Sequence, residues 1–115
     1  MSIRDQRALF IVKLVHTLVW ALMAGAILAL PWLALLQAWD WAIAIVVLIV
    51  VEGIVLVANG WRCPLTDIAT RYTDERPHNF DIFLPLWLAE WNKVIFGTLF
   101  IAGVMLLCIS AARAA

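Results

Sequence analysis

The sequence predicts an all-α membrane protein, a single domain built as a bundle of three transmembrane helices, with a fourth crossing left open. Three observations carry this reading. Of 115 residues, 66% are hydrophobic and only 14% charged, whereas ordinary chains are about 45–50% apolar and about 25% charged. Too little polar material remains to coat a water-soluble globule, so lipid must act as the solvent. Next, three apolar runs are each long enough for a helix to cross a hydrocarbon core of about 30 Å. Finally, tryptophans and basic residues gather between those runs, where membrane proteins place them. The formal net charge is zero, which gives nucleic-acid binding no electrostatic support. No internal repeat or low-complexity stretch divides the chain.

The first span is expected at 9–30, and its 22 residues make roughly 33 Å of helix. Pro31 is expected to end it. Arg4, Arg7 and the Ala24-Gly25-Ala26 string resemble parts of a signal peptide. The run is too long for a signal core and carries Lys13 and His16, so a retained helix is expected. Residues 31–41 hold Trp32, Trp39, Trp41 and Asp40, and indoles favour the headgroup level, so this stretch reads as an interfacial turn. The second span, 42–59, is nearly pure Ile, Val, Leu and Ala apart from Glu52 and Gly53. Its β-branched residues would suit a strand in water. In lipid a lone strand leaves its backbone unpaired, so helix is expected.

Residues 60–79 form the long polar loop, with Arg62, Asp67, Arg71, Asp74, Glu75, Arg76 and His78. Asp67, Arg71 and Glu75 are spaced i, i+4, which predicts a short solvated helix stopped by Pro77. Residues 80–91 mix aromatic and aliphatic side chains with Asp81 and Glu90 and are interrupted by Pro85. A dozen residues cannot span, so a cytoplasmic-side amphipathic, interfacial or re-entrant segment is expected. The last span is expected at 93–110. Seven of the eight Lys and Arg residues lie before or within the start of the first helix or between the second and third spans. By the positive-inside rule the N-terminus and the polar loop face the cytoplasm.

Ionisable groups inside a span are costly unless paired, so each marks a structural or functional role. His16 and Glu52 lie at similar depth, near ~11 Å from the cytoplasmic ends of antiparallel helices at ~1.5 Å per residue. Asn59 follows Glu52 by two turns. These three, with Lys13 and Thr98 as further candidates, are expected to form one polar cluster inside the bundle. Three roles stay open: a hydrogen-bonded pair fixing helix register, a proton, ion or ligand site, or a metal or haem site. One chain supplies only His16 and His78 as histidines, which limits haem.

Gly60-Trp61-Arg62-Cys63-Pro64-Leu65-Thr66 is the most distinctive string. Pro64 suits the first position of a helix capped at Cys63. A cysteine there meets the positive end of the helix dipole and neighbouring Arg62, both of which favour thiolate. Cys63 is therefore either a reactive or ligating thiol or a small buried residue at a sharp exit from the second helix. With no CxxC, neither a disulfide framework nor a zinc site is signalled. Cys108 reads as packing and His78 as solvated. The candidate binding residues are His16, Glu52, Asn59, Cys63, Thr66 and Asp67, with no catalytic or metal-ligating set.

At these residues the chain resembles the bacterial family catalogued as domain of unknown function 2784. The likeness rests on Leu14-Val15-His16, Glu52-Gly53, the Gly-Trp-x-Cys-Pro-Leu-Thr string and the proline-containing aromatic segment from Phe80 to Leu86. It covers roughly residues 9–100. Ala69 stands where that family usually has glutamate, and a second histidine near the first turn is absent. The resemblance implies a small bacterial inner-membrane protein and names no activity or cofactor. The expected role is a non-enzymatic binding or accessory subunit, associating with itself or with a larger membrane complex. The alternatives are a redox protein binding quinone or haem near His16, Glu52 and Cys63, and a proton-coupled transporter subunit.

Overall fold

The computed structural model describes residues 2–114. Its elements run α1 (Ile3–Leu35), α2 (Trp39–Ala58), α3 (Pro64–Ala69) and α4 (Leu86–Ala114), with no strand among the described residues. The chain is all-α, and α1, α2 and α4 are each long and apolar enough to cross a membrane. The remaining helix, α3, has only six residues.

Ser2 caps α1 by accepting the Asp5 amide at 3.1 Å, and Asp5 adds a negative charge where the helix dipole favours one. Pro31 does not end this helix, which continues to Leu35. A proline removes one hydrogen bond and crowds the preceding turn, but transmembrane helices tolerate that. The stop comes at Gln37, whose φ of 55° is left-handed. The Ala38 and Gln37 amides then reach back to the Leu33 and Ala34 carbonyls at 3.0 and 3.2 Å, a Schellman ending. The reversal is tight, and Ala34 and Ala42 beside it are buried.

A second Schellman ending closes α2. The Trp61 amide bonds the Leu56 carbonyl at 2.7 Å and the Gly60 amide bonds Val57 at 3.3 Å. Both Gly60 and Trp61 have left-handed φ values, 67° and 66°. Glycine meets that demand freely; tryptophan does so at a cost of roughly 1–2 kcal/mol. Lys93 donates to the Trp61 carbonyl and ties the turn to α4.

The helix α1 is the shared support, packing against α4, α2 and α3. It runs alongside α4 in the same direction: Trp20 meets Asn92 and Phe96 near one end, and Leu30 meets Gly103 further along. The rest of the core lies where the 64–85 region folds back, with Ala69, Ile82 and Leu84 buried.

Two expected segments differ from what forms. The short helix expected through Glu75 ends at Ala69, and Asp67 pairs with Arg62 rather than with Arg71 as the i, i+4 spacing suggests. The aromatic stretch 80–91 is not one interfacial piece. Residues 80–85 are irregular and partly buried, and from Leu86 onward the chain already belongs to α4. Pro85 sits at the entry to this helix, its carbonyl accepting the Ala89 amide at 3.0 Å, a position where a ring without an N–H loses nothing.

Candidate functional site

The faces of α1, α2 and α4 enclose a partly open cavity of about 560 Å³ at the polar-loop end of the bundle. Its lining follows helical spacing. His16, Trp20, Met23 and Ile27 come from α1; Ile49, Glu52 and Leu56 from α2; Asn92, Phe96 and Phe100 from α4. Such residues recur every three or four positions, so one stripe of each helix faces the space. Cys63, Thr66 and Asp81 close the loop end.

Asp81 organises that end. It is 6% exposed, accepts a hydrogen bond from the Thr66 hydroxyl on Oδ2, and offers its main-chain carbonyl to His16 Nδ1 at 3.0 Å. A carbonyl can only accept, so His16 Nδ1 carries a proton, and in the neutral ring Nε2 is then the acceptor. The Asp81 carboxylate also lies 3.6 Å from Nδ1. One helical turn away, Trp20 donates its indole N–H to Asn92 Oδ1 at 2.7 Å and meets Phe96 edge-on at 5.7 Å. Thr17 accepts the Phe83 amide at 2.9 Å, which fixes the returning loop against α1.

The structure brings His16, Glu52, Cys63 and Thr66 to one cavity and takes Asn59 and Asp67 elsewhere. His16 bonds Asp81, not Glu52. Asn59 ends α2 with φ −103° and ψ 25°, so helical spacing no longer directs its side chain along the Glu52 face. Its amide instead donates to the Arg62 carbonyl and to Asp67 Oδ2, both at 2.8 Å. Arg62 Nε donates to the other Asp67 oxygen at 2.9 Å. These bonds, the Asn59 bond first, hold the Asp67 carboxyl below its ordinary value. Their contribution is therefore present above the usual carboxylate range and lost as pH falls through the lowered value.

Lys13 lies over the Phe83 ring at 4.7 Å rather than in the cluster. Thr98 is exposed, since it sits two residues, about 200° of helix, from Phe96 on the inner stripe. Cys108, expected to pack, is likewise exposed on α4. Sequence reading missed Asp81 as a site residue. Its one signal was a carboxylate within an apolar string, Phe80-Asp81-Ile82.

Cys63 caps α3 and Pro64 opens it, as the spacing predicts. The thiol is nevertheless not activated. Burial raises its pKa and the Glu52 and Asp81 charges add to the rise, outweighing the Leu65 and Thr66 backbone hydrogen bonds. Arg62, expected to favour thiolate, is engaged with Asp67. In a Cys108→Ser background, Cys63 should react with a small maleimide about tenfold more slowly than free cysteine at pH 7. The rate should climb only in alkaline solution; labelling as fast as free cysteine would contradict this reading. Among the described residues no group of three His, Cys, Asp or Glu side chains could hold a metal ion. The chain matches no protein-family model, no curated protein and no solved structure.

Proposed function

We propose that this chain is a non-enzymatic binding or accessory subunit of a bacterial inner-membrane complex, and that its cavity receives an amphiphilic small molecule. The observation that carries the proposal is the cavity itself. At about 560 Å³ it falls within the range of small-molecule sites, and it combines apolar walls with a few polar groups at one end. An amphiphile entering from the bilayer would keep its tail beside Ile27, Ile49 and Phe100 and its head beside His16, Glu52 and Asp81. The bias of basic residues toward the N-terminus and the 60–79 loop supports a cytoplasmic position for that end. The Gly-Trp-x-Cys-Pro-Leu-Thr string, with its likeness to domain of unknown function 2784, supports a bacterial source.

Gly97 lines the cavity, and a Cβ added there meets nothing within 4 Å. Gly97→Leu should therefore fill the space without disturbing the backbone. Native mass spectrometry of protein released from its own membranes should show an amphiphilic adduct on the wild type that Gly97→Leu has largely lost. Equal occupancy in both would overturn the proposal.

A further inference from the structure

Several polar groups of the cavity are already engaged: Trp20 with Asn92, Thr66 with Asp81, and Lys93 with the Trp61 carbonyl. Two acceptors are not. Among the described residues no donor reaches His16 Nε2 or the Glu52 carboxyl, although both line the same space from facing helices. With its Nδ1–H on the Asp81 carbonyl, the neutral His16 ring presents Nε2 as an acceptor. The nearby Asp81 carboxylate makes the ring a better acceptor. Glu52 keeps an acceptor oxygen whichever protonation state it adopts.

Around these acceptors the walls are aromatic: Trp20, Phe96 and Phe100. Flat aromatic groups stack well on such surfaces. Arg62, Arg76 and Lys93 also line the space, as does Glu90.

We infer that the ligand is an apolar-tailed dihydroxyaromatic molecule, a quinol, whose hydroxyls donate to His16 Nε2 and Glu52 while its ring lies among Trp20, Phe96 and Phe100. This rests on the amphiphile reading above and specifies its head group. An oxidised quinone has only acceptors to offer, so the lone pair of a neutral His16 Nε2 gives it nothing to bind. His16 and Glu52 bind; Asp81 is a positioning residue that sets the tautomer of His16.

The test uses the full chain in nanodiscs under anaerobic conditions, with affinities measured by titration calorimetry. The probes are a decyl-chain benzoquinol, its dimethyl ether, the matching benzoquinone and dodecylammonium. The wild type should bind the quinol about tenfold or more tighter than the dimethyl ether or the quinone, since each lost charge-assisted or buried hydrogen bond is worth about a factor of ten. His16→Phe and Glu52→Leu should each weaken quinol binding about tenfold and leave the dimethyl ether unchanged. A dimethyl ether or quinone that binds as tightly as the quinol overturns the inference, and so does tighter binding of dodecylammonium. The wild-type comparison decides the matter without relying on any variant's folding. If no probe binds the wild type better than Gly97→Leu, the amphiphile reading itself fails. If all the apolar-tailed aromatics bind equally and Gly97→Leu blocks them, only the quinol assignment fails.

Discussion

Gly103→Leu should loosen α1 from α4 and destabilise the protein by about 1–3 kcal/mol, the usual cost of forcing carbon into a packed core. A Cβ at Gly103 would lie 3.2 Å from both Cβ and Cδ1 of Leu30. Leu30 is fully buried, with no exposed surface to move into. Its Cδ1 could rotate, but its Cβ is fixed to the α1 backbone, so the helices themselves must separate. Small residues at such crossings let membrane helices approach closely, and dispersion across that contact supplies much of their association. Thermal unfolding in detergent would measure the loss. Gly103→Ala should show a smaller effect in the same direction. Leu30→Ala should rescue Gly103→Leu only in part, since it removes the rotating carbons and leaves the Cβ. Gly25→Ala is the control, because a Cβ there meets nothing within 4 Å. Equal stability of Gly103→Leu and wild type would show that the crossing is not the tight contact described.

The fold was legible because its main cause is compositional. A run of twenty apolar residues has one stable solution in lipid, a helix with its backbone bonds satisfied internally. The ends were harder to read. Pro31 reads as a terminator, yet α1 runs on to Leu35 and stops at a left-handed glutamine, a conformation with no strong sequence mark outside glycine and asparagine. Leu86 to Trp91 read as separate because the segment is too short to span alone. Joined to the next run across Asn92 and Lys93, it forms the opening turns of α4.

The candidate site was half legible for a similar reason. Matched depth puts His16 and Glu52 on the same cavity, and depth follows from counting residues along regular helices. What counting could not supply is the partner of His16, which sits 65 residues away in an irregular loop. Nothing periodic directs a loop back onto a helix. The return depends on particular bonds: Asp81 to His16 and Thr66, the Phe83 amide to Thr17, and Asn79 to the Leu84 carbonyl at 2.9 Å.

Asp81→Leu should therefore have the second large effect, a loss of about 2–3 kcal/mol with local opening of the 70–85 loop. Hydrogen bonds to a charged group contribute about 1.5–3 kcal/mol, and a buried donor left without a partner costs about 1–3 kcal/mol. The side chain is 8% exposed, so water does not readily replace the Thr66 bond. The His16 bond goes to the main-chain carbonyl and can survive the substitution if the loop stays docked. That separates two outcomes. Where the loop is held mainly by buried Ile82 and Leu84, Asp81→Leu should lower thermal stability and leave the rate of trypsin cleavage after Arg71 as in the wild type. Where the carboxylate is the main latch, the Arg71–Tyr72 bond should be cleaved more readily than in the wild type. We expect the second result, because Asp81 engages α3 through Thr66 and lies against α1 through His16, whereas each apolar residue contributes burial alone. The double substitution Thr66→Val with Asp81→Leu should cost less than the two singles added together, since the unpaired hydroxyl has been removed. Strict additivity would mean that the short Thr66–Asp81 contact contributes nothing to holding the loop.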